Sequence, residues 1–302
     1  MSKHVKSIFA MICVVVLLAG LPGLSLAADE ELLYEEPLTE DTAPAEREIT
    51  VLECTPIPLY VDETYIGDGF MLDGMTYVPM LAFCEAMLMT DFEASWDQEL
   101  GLVSLRAEDV DISMKLSDNY IVANGRYLYL ADGAFNVNGT IMAPIRELAR
   151  IFNVEVIWND DSFSIDIDTS NVEPIAPGDE FYDEESLYWL SRVISSEAGG
   201  EPLDGKIGVG NVVLNRVNDD SGAFEDTIKR VIFQIGQFAV TETGAIYLDP
   251  NEESVIAAKL CLEGYNTVGD SKYFLNPEIS SSKWFQKYKT YVMTISDHDF
   301  YA

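Results

Sequence analysis

The chain has 302 residues, with 18 Lys plus Arg against 52 Asp plus Glu and a formal net charge of −34. Such an excess of acid repels phosphate backbones, so nucleic acid is not an expected partner. Only two histidines are present, His4 and His298, and the four cysteines lack metal-ligand spacing, so no metal site and no cofactor is expected.

The first residues are basic at Lys3, His4 and Lys6, then apolar from Ile8 to Ala19, then small at Ser25, Ala27 and Ala28. This pattern predicts a signal peptide over 1–28, cleaved after Ala27 or Ala28, and an exported chain with no later segment able to span a bilayer. Residues 29–50 are rich in acid, contain two prolines and show no periodicity, which predicts a disordered leader. Beyond the signal, Cys54, Cys84 and Cys261 remain; a Cys54–Cys84 disulfide and buried free thiols are both compatible with their placement.

From 51 to 170 an internal repeat is read. DGMTYVPMLAFCEAM (Asp73 to Met87) matches NGTIMAPIRELARIF (Asn138 to Phe152), pairing Gly74 with Gly139 and Pro79 with Pro144. Each copy continues into a tryptophan followed by Asp or Asn and then an alternating strand, EASWDQELGLVSL and VEVIWNDDSFSIDI. On these residues the region resembles the copper amine oxidase N-terminal-like domain, found in secreted proteins of Gram-positive bacteria. The resemblance implies an attachment or spacing module; it implies no copper, because the region lacks histidine. Residues 171–183 (NVEPIAPGDEFYD) read as a linker.

The last segment, 184–302, carries the chemistry. In Glu184 to Ala198 the apolar residues Leu187, Leu190, Val193, Ile194 and Ala198 recur at helical steps and fill an arc of roughly 140°, with Glu197 inside it. Gly199 and Gly200 should end the helix, leaving Glu197 in its last turn. A carboxyl held on an apolar face is disposed to keep its proton near neutral pH, as a general acid requires. A second helix is expected after Pro202, with Ile207, Val209, Val212, Val213, Leu214 and Val217 on its buried side. Then follow a helix in AFEDTIKRVIFQ, a hairpin over Ala239 to Leu248 around Thr243-Gly244, a helix from Pro250 or Asn251 to about Gly264, and a strand-like end.

Six motifs stand in order: EAGGEP (Glu197 to Pro202), VVLNRV (Val212 to Val217), QIGQF (Gln234 to Phe238), YFLNP (Tyr273 to Pro277), SKW (Ser282 to Trp284) and His298-Asp299-Phe300. Together they resemble the spore cortex-lytic, SleB-type cell wall hydrolases over 184–302. That resemblance implies a compact, mainly helical, lysozyme-like domain acting on peptidoglycan, with Glu197 at the position of the single catalytic glutamate. A lone Glu is enough for a lytic transglycosylase, which donates a proton and then takes one back, so no second carboxylate is required.

Asn215, Gln237 and Asn276 are candidate hydrogen-bonding groups for sugars, and Phe238, Tyr273 and Trp284 candidate ring platforms. Glu201 and His298 are read as supporting residues. The expected architecture is therefore α+β: a repeat-built α+β module, then a mainly helical catalytic domain with a small β-hairpin. The expected activity is cleavage of the bond between N-acetylmuramic acid and N-acetylglucosamine in a spore cortex or vegetative wall. An amidase cutting the stem peptide and a noncatalytic wall-binding protein are the alternatives. The expected partners are peptidoglycan glycan strands, with any restraining protein unidentified.

Overall fold

Residues 55–88, 91–280 and 283–302 are described by the computed structural model; the signal segment, the acidic leader and Cys54 lie outside them. The N-terminal half is sheet-rich. It runs β1 (Ile57–Val61), β2 (Thr64–Leu72), β3 (Met75–Pro79), α1 (Met80–Met87), β4 (Glu93–Asp97), β5 (Leu102–Arg106), β6 (Asp111–Lys115), β7 (Tyr120–Ala123), β8 (Arg126–Tyr129), β9 (Phe135–Val137), β10 (Thr140–Pro144), α2 (Ile145–Ile151), β11 (Ile157–Asn159) and β12 (Ser164–Ile167).

Turn chemistry decides the hairpins. Asp73-Gly74 has φ of 48° and 82°, and Asn138-Gly139 has 52° and 87°, the two successive positive values that a two-residue hairpin turn demands. The strand after each turn ends on a proline, Pro79 or Pro144, with φ at −59° in both, and a helix begins at the next residue. β3 and β10 then pair antiparallel, with Val78 opposite Ala143, inside a seven-stranded sheet of order β11-β12-β1-β2-β3-β10-β9. β4 to β8 form a separate five-stranded meander. Phe83, Met87, Leu148 and Phe152 from the helices fill the core with Leu59, Ile112 and Ile165 from the strands. Cys84 lies in that core as a free thiol, its pKa pushed up to about 12 by burial.

The Pro- and acid-rich segment 171–183 is bonded along its length rather than loose. Ile175 N donates to Ile151 O (2.9 Å), Gly178 N to Asn124 O (2.8 Å) and Asn124 Nδ2 to Ile175 O (3.0 Å). It includes the short helix α3 (Gly178–Phe181). A Cβ at Gly178 would stand 2.6 Å from Gly125 O, so only glycine permits that approach.

Beyond it come α4 (Glu184–Ala198), α5 (Leu203–Val217), α6 (Ile228–Phe233), α7 (Val240–Thr243), a single 3-10 turn over Ala245–Tyr247, α8 (Glu252–Leu262), β13 (Tyr273–Leu275), α9 (Trp284–Tyr288), β14 (Tyr291–Ile295) and β15 (His298–Tyr301). Side-chain caps start three of the helices: Asp183 accepts from Ser186 N, Thr227 from Arg230 N and Asn251 from Ser254 N. α4, α5 and α8 share one core of Leu190, Val193, Ile194, Val212, Val213, Ala257 and Leu260. Gly210 lets them meet closely, since a Cβ there would fall 2.6 Å from Cys261 Sγ and 2.9 Å from Ile194 Cδ1. The last three strands form a sheet of order β13-β15-β14.

The hairpin expected over Ala239 to Leu248 does not form; α7 and the 3-10 turn occupy that stretch. Thr241 Oγ1 donates to Phe238 O (2.8 Å) and Thr243 Oγ1 to Val240 O (3.4 Å), local bonds that favour helical turns over an extended chain. Gly244, at φ 81°, ends the helix in the left-handed conformation instead of turning a hairpin. The only hairpin among the described residues of this half is β14–β15.

The two halves are joined by a buried ion cluster. Arg126 on β8 forks onto the Glu263 carboxylate, Nε to Oε1 at 2.8 Å and Nη2 to Oε2 at 2.7 Å. Arg150 Nη2 adds a bond to Oε2 (2.9 Å) and the Tyr182 hydroxyl one to Oε1 (2.8 Å), and the Glu263 side chain is wholly removed from solvent. Tyr129 donates to Asp204 (2.7 Å) beside it, and Tyr120, Tyr127 and Tyr129 of β7 and β8 pack against the helical core.

Candidate active site

Glu197 is in the last turn of α4, half-buried, where the periodicity placed it. The end of this helix is held from two loops. Asn251 N donates to Ser195 Oγ (3.2 Å), Asn251 Nδ2 to Gly199 O (3.2 Å) and Ser196 Oγ to Ala245 O (3.2 Å). Among the described residues no hydrogen bond reaches the Glu197 carboxylate. Burial raises its pKa above the ordinary carboxylate range, and the positive charge of Arg216 draws it part of the way back.

Arg216 is the residue that reading the sequence for function passed over. It is 4% exposed on α5, its Nε donates to Lys272 O (2.7 Å), and its Nη1 is buried without a partner. Its guanidinium carbon stands 5.0 Å from the centre of the Phe238 ring, 5.1 Å from Phe224 and 5.6 Å from Tyr273. This cage of aromatic faces stabilises a cation while removing it from water. Burial pushes its pKa down to about 10, against the pull of Tyr273 and Glu197, so it stays charged at neutral pH. The signal was available: Val209, Val212, Val213 and Arg216 lie at successive helical steps, which puts Arg216 on the buried face of α5. Leu214 and Val217, expected on that face, are only half-buried.

The other expected residues divide. Phe238 and Tyr273 are brought to Arg216, and through it to the neighbourhood of Glu197. Phe238 is only 4% exposed, so its ring underlies the guanidinium within the core and offers no open platform. Tyr273 is half-buried and borders Trp284 (6.3 Å between ring centres) and Phe285 (5.8 Å), with Lys289 Nζ 3.9 Å above its ring. Trp284 is nearly half-exposed at the start of α9. The half-buried Asn215 uses its amide to bridge the chain, donating to Gly269 O (2.7 Å) and Ser271 O (2.8 Å). Asn276 Oδ1 accepts from Glu278 N (2.9 Å) and shapes its own turn. Gln237 is half-buried beside Phe238.

Glu201 and His298 meet where the end of α4 turns into α5. The Glu201 carboxylate accepts from Asp297 N (3.2 Å), its backbone carbonyl accepts from the Lys206 ammonium, and His298 Nδ1 lies 3.8 Å from Oε2. These contacts tie the α4–α5 corner to the β14–β15 turn. Burial lowers the His298 pKa against the pull of Glu201 and Asp297, which keeps the ring neutral at pH 7, edge-on to Phe274 at 5.2 Å.

A sheet-rich module precedes a helical domain whose first long helix ends on the half-buried Glu197. Residues 200–301 match the Cell Wall Hydrolase family and residues 61–167 the Copper amine oxidase N-terminal domain. Glu197 lies three residues before the first of these matches. The relatives are named spore cortex-lytic enzymes. That of Oceanobacillus iheyensis is 33% identical over 103 residues, 34% of this chain and 37% of its own. That of Bacillus subtilis is 33% identical over 95 residues, 32% of this chain and 30% of its own. The chain thus spans about a third of the length of the curated relatives it matches. The solved catalytic domain of the germination-specific lytic transglycosylase SleB from Bacillus anthracis is 30% identical and is covered in full by 42% of this chain, with a TM-score of 0.38.

The module's donor set does not fit the copper in its family's name. Residues 61–167 contain no histidine and a single cysteine, Cys84, which is buried in apolar packing.

Proposed function

We propose that this chain is a secreted peptidoglycan-cleaving enzyme, a lytic transglycosylase acting between N-acetylmuramic acid and N-acetylglucosamine, in spore cortex lysis during germination. The observation that carries this reading is the Glu197 carboxyl: half-buried, free of hydrogen bonds among the described residues, and raised in pKa by that burial. Such a group is protonated over a wider pH range than an exposed glutamate and is available to a ligand.

In this reading Glu197 donates its proton to the glycosidic oxygen as the bond to the muramic acid C1 breaks. The resulting carboxylate, held near the Arg216 cation, then takes the proton of the C6 hydroxyl as that oxygen bonds C1, closing a 1,6-anhydro ring. Protons and bonds balance on one residue. Glu201 has its carboxylate engaged at the Asp297 backbone and supplies no second group. Tyr273 and Trp284 provide the sugar-facing rings and Gln237 a hydrogen-bonding amide, while Asn215, Asn276 and Phe238 hold the walls.

The domain partition follows the same reading: signal 1–28, leader 29–50, a module over 51–170 built from an internal repeat, a strap over 171–183, and a lysozyme-like catalytic domain over 184–302. Mass spectrometry of digests of purified cortex and vegetative wall tests it. Anhydro-muropeptides from the parent chain and none from Glu197→Gln are expected. Products with free amino groups in place of new glycan ends would establish an amidase, and wall binding without any product would establish a noncatalytic role.

A further inference from the structure

The two tryptophan hairpins of the module are built alike and used differently. Trp96 on β4 and Trp158 on β11 are both 43% exposed, and each precedes a residue whose side-chain oxygen accepts from the turn: Asp97 from Glu99 N and Leu100 N, Asn159 from Asp161 N and Ser162 N. Trp158 is then satisfied locally, its Nε1 donating to Asp160 Oδ1 (2.8 Å) and its face meeting Phe163 edge-on (6.4 Å). Trp96 has no such partner among the described residues. It borders instead a groove of about 740 Å³ between α1, the β4–β5 hairpin and the β9–β10 turn, lined also by Leu81, Glu85, Ser95, Asn136 and Thr140.

We infer that this groove is a second glycan site, in which Trp96 stacks on the apolar face of an N-acetylated sugar of the wall polymer. The volume is that of a small-ligand pocket. Apolar walls with a neutral polar rim suit a polyhydroxylated ring, which is apolar on its faces and hydrogen-bonding at its edge. The Ser95 and Thr140 hydroxyls have no partner among the described residues, and Asn136 uses only its Oδ1, for Gly139 N. Glu85 is the one charged residue of the lining, and the acidic chain disfavours an anionic ligand. Because Arg126, Arg150 and Glu263 lock the module to the catalytic half, a strand bound here would meet Glu197 at a fixed spacing. The identity of the sugar rests on the function proposed above; the existence of the site does not.

The test uses the full chain in a Glu197→Gln background, sedimented with protein-free sacculi and titrated with N-acetylglucosamine pentamer. Trp96→Ala should weaken both interactions roughly tenfold or more. Trp96→Phe should retain most of the binding, and Trp158→Ala should match the parent. In the active chain, Trp96→Ala should release muropeptides normally from soluble fragments but slowly from intact sacculi. Equal binding by Trp96→Ala and the parent, or equal losses at Trp96 and Trp158, would overturn the inference. So would a Trp96 effect seen only on walls that retain their proteins, which would assign the groove to a protein partner. Should the parent release no glycan product while Trp96 still governs retention, the catalytic reading fails and the site stands.

Discussion

Two glutamates near helix ends show how one residue type is put to opposite uses. Glu263, just past α8, has its carboxylate fully removed from water and bonded by two guanidiniums and a tyrosine hydroxyl. Glu197, in the last turn of α4, is half-buried with no hydrogen bond among the described residues and a single cation in its field. A satisfied buried ion pair fixes geometry and is inert. An unsatisfied carboxyl in a partly dry place has its pKa raised by burial, at some cost to folding. Burial alone does not single out Glu197 as a candidate acid; its lack of hydrogen-bond partners among the described residues sets it apart from Glu263.

Exchanging the carboxyl for an amide at each position should separate the two uses. Glu197→Gln is expected to reduce product release by about 10³-fold or more, on the scale of a lost general acid, with an unfolding midpoint close to the parent's. Loss of activity accompanied by a large loss of stability would make Glu197 a structural residue like Glu263. Glu263→Gln should do the reverse. Leaving the buried Arg126 guanidinium and the partly exposed Arg150 short of a counter-charge costs about 3–5 kcal/mol and should lower the calorimetric Tm by roughly 10 °C, with activity retained below that temperature. An unchanged Tm would mean that the cluster does not hold the halves together.

The pH profile sharpens the contrast. In the proposed reaction cleavage starts from protonated Glu197, so activity should fall as pH rises through its raised pKa. Arg216 favours the ionised form, hence Arg216→Gln should move that alkaline limb to higher pH while lowering the maximal rate about tenfold, the usual scale for one lost charge interaction. A limb that stays in place would separate Arg216 from the acid. The stability term has the same sign: a carboxyl raised in the folded state favours folding below its unfolded pKa and loses that contribution as pH climbs through the folded value. The smallest effect is expected at Asn251→Ala, which removes the cap of α8 and the bond to Gly199 O. It should cost about 1 kcal/mol, read by denaturant unfolding, with a modest loss of rate as the end of α4 loosens.

Much of this was legible along the chain wherever local signals agreed. α4 was readable from end to end, because its apolar residues keep step and two glycines follow. The start of α8 after Pro250 or Asn251 was equally open. Where local signals competed, the reading failed. Thr243-Gly244 serves a hairpin or a helix end, and the threonine bonds to Phe238 O and Val240 O settled it as a helix end. The stripe of α5 included Arg216, yet a charge was not sought on a buried face.

Helix periodicity determined that the carboxylate at position 197 would stand in the last turn of α4, and the near absence of histidine turned the search for chemistry to carboxylates, since both act over a few residues or through composition alone. Tertiary packing decided which polar groups remain free. Asn215 is engaged by carbonyls 54 and 56 residues away, and Glu263 by arginines 113 and 137 residues away. Such partners meet only when the whole chain folds, because hydrogen bonds and ion pairs depend on distances in space that sequence separation does not record.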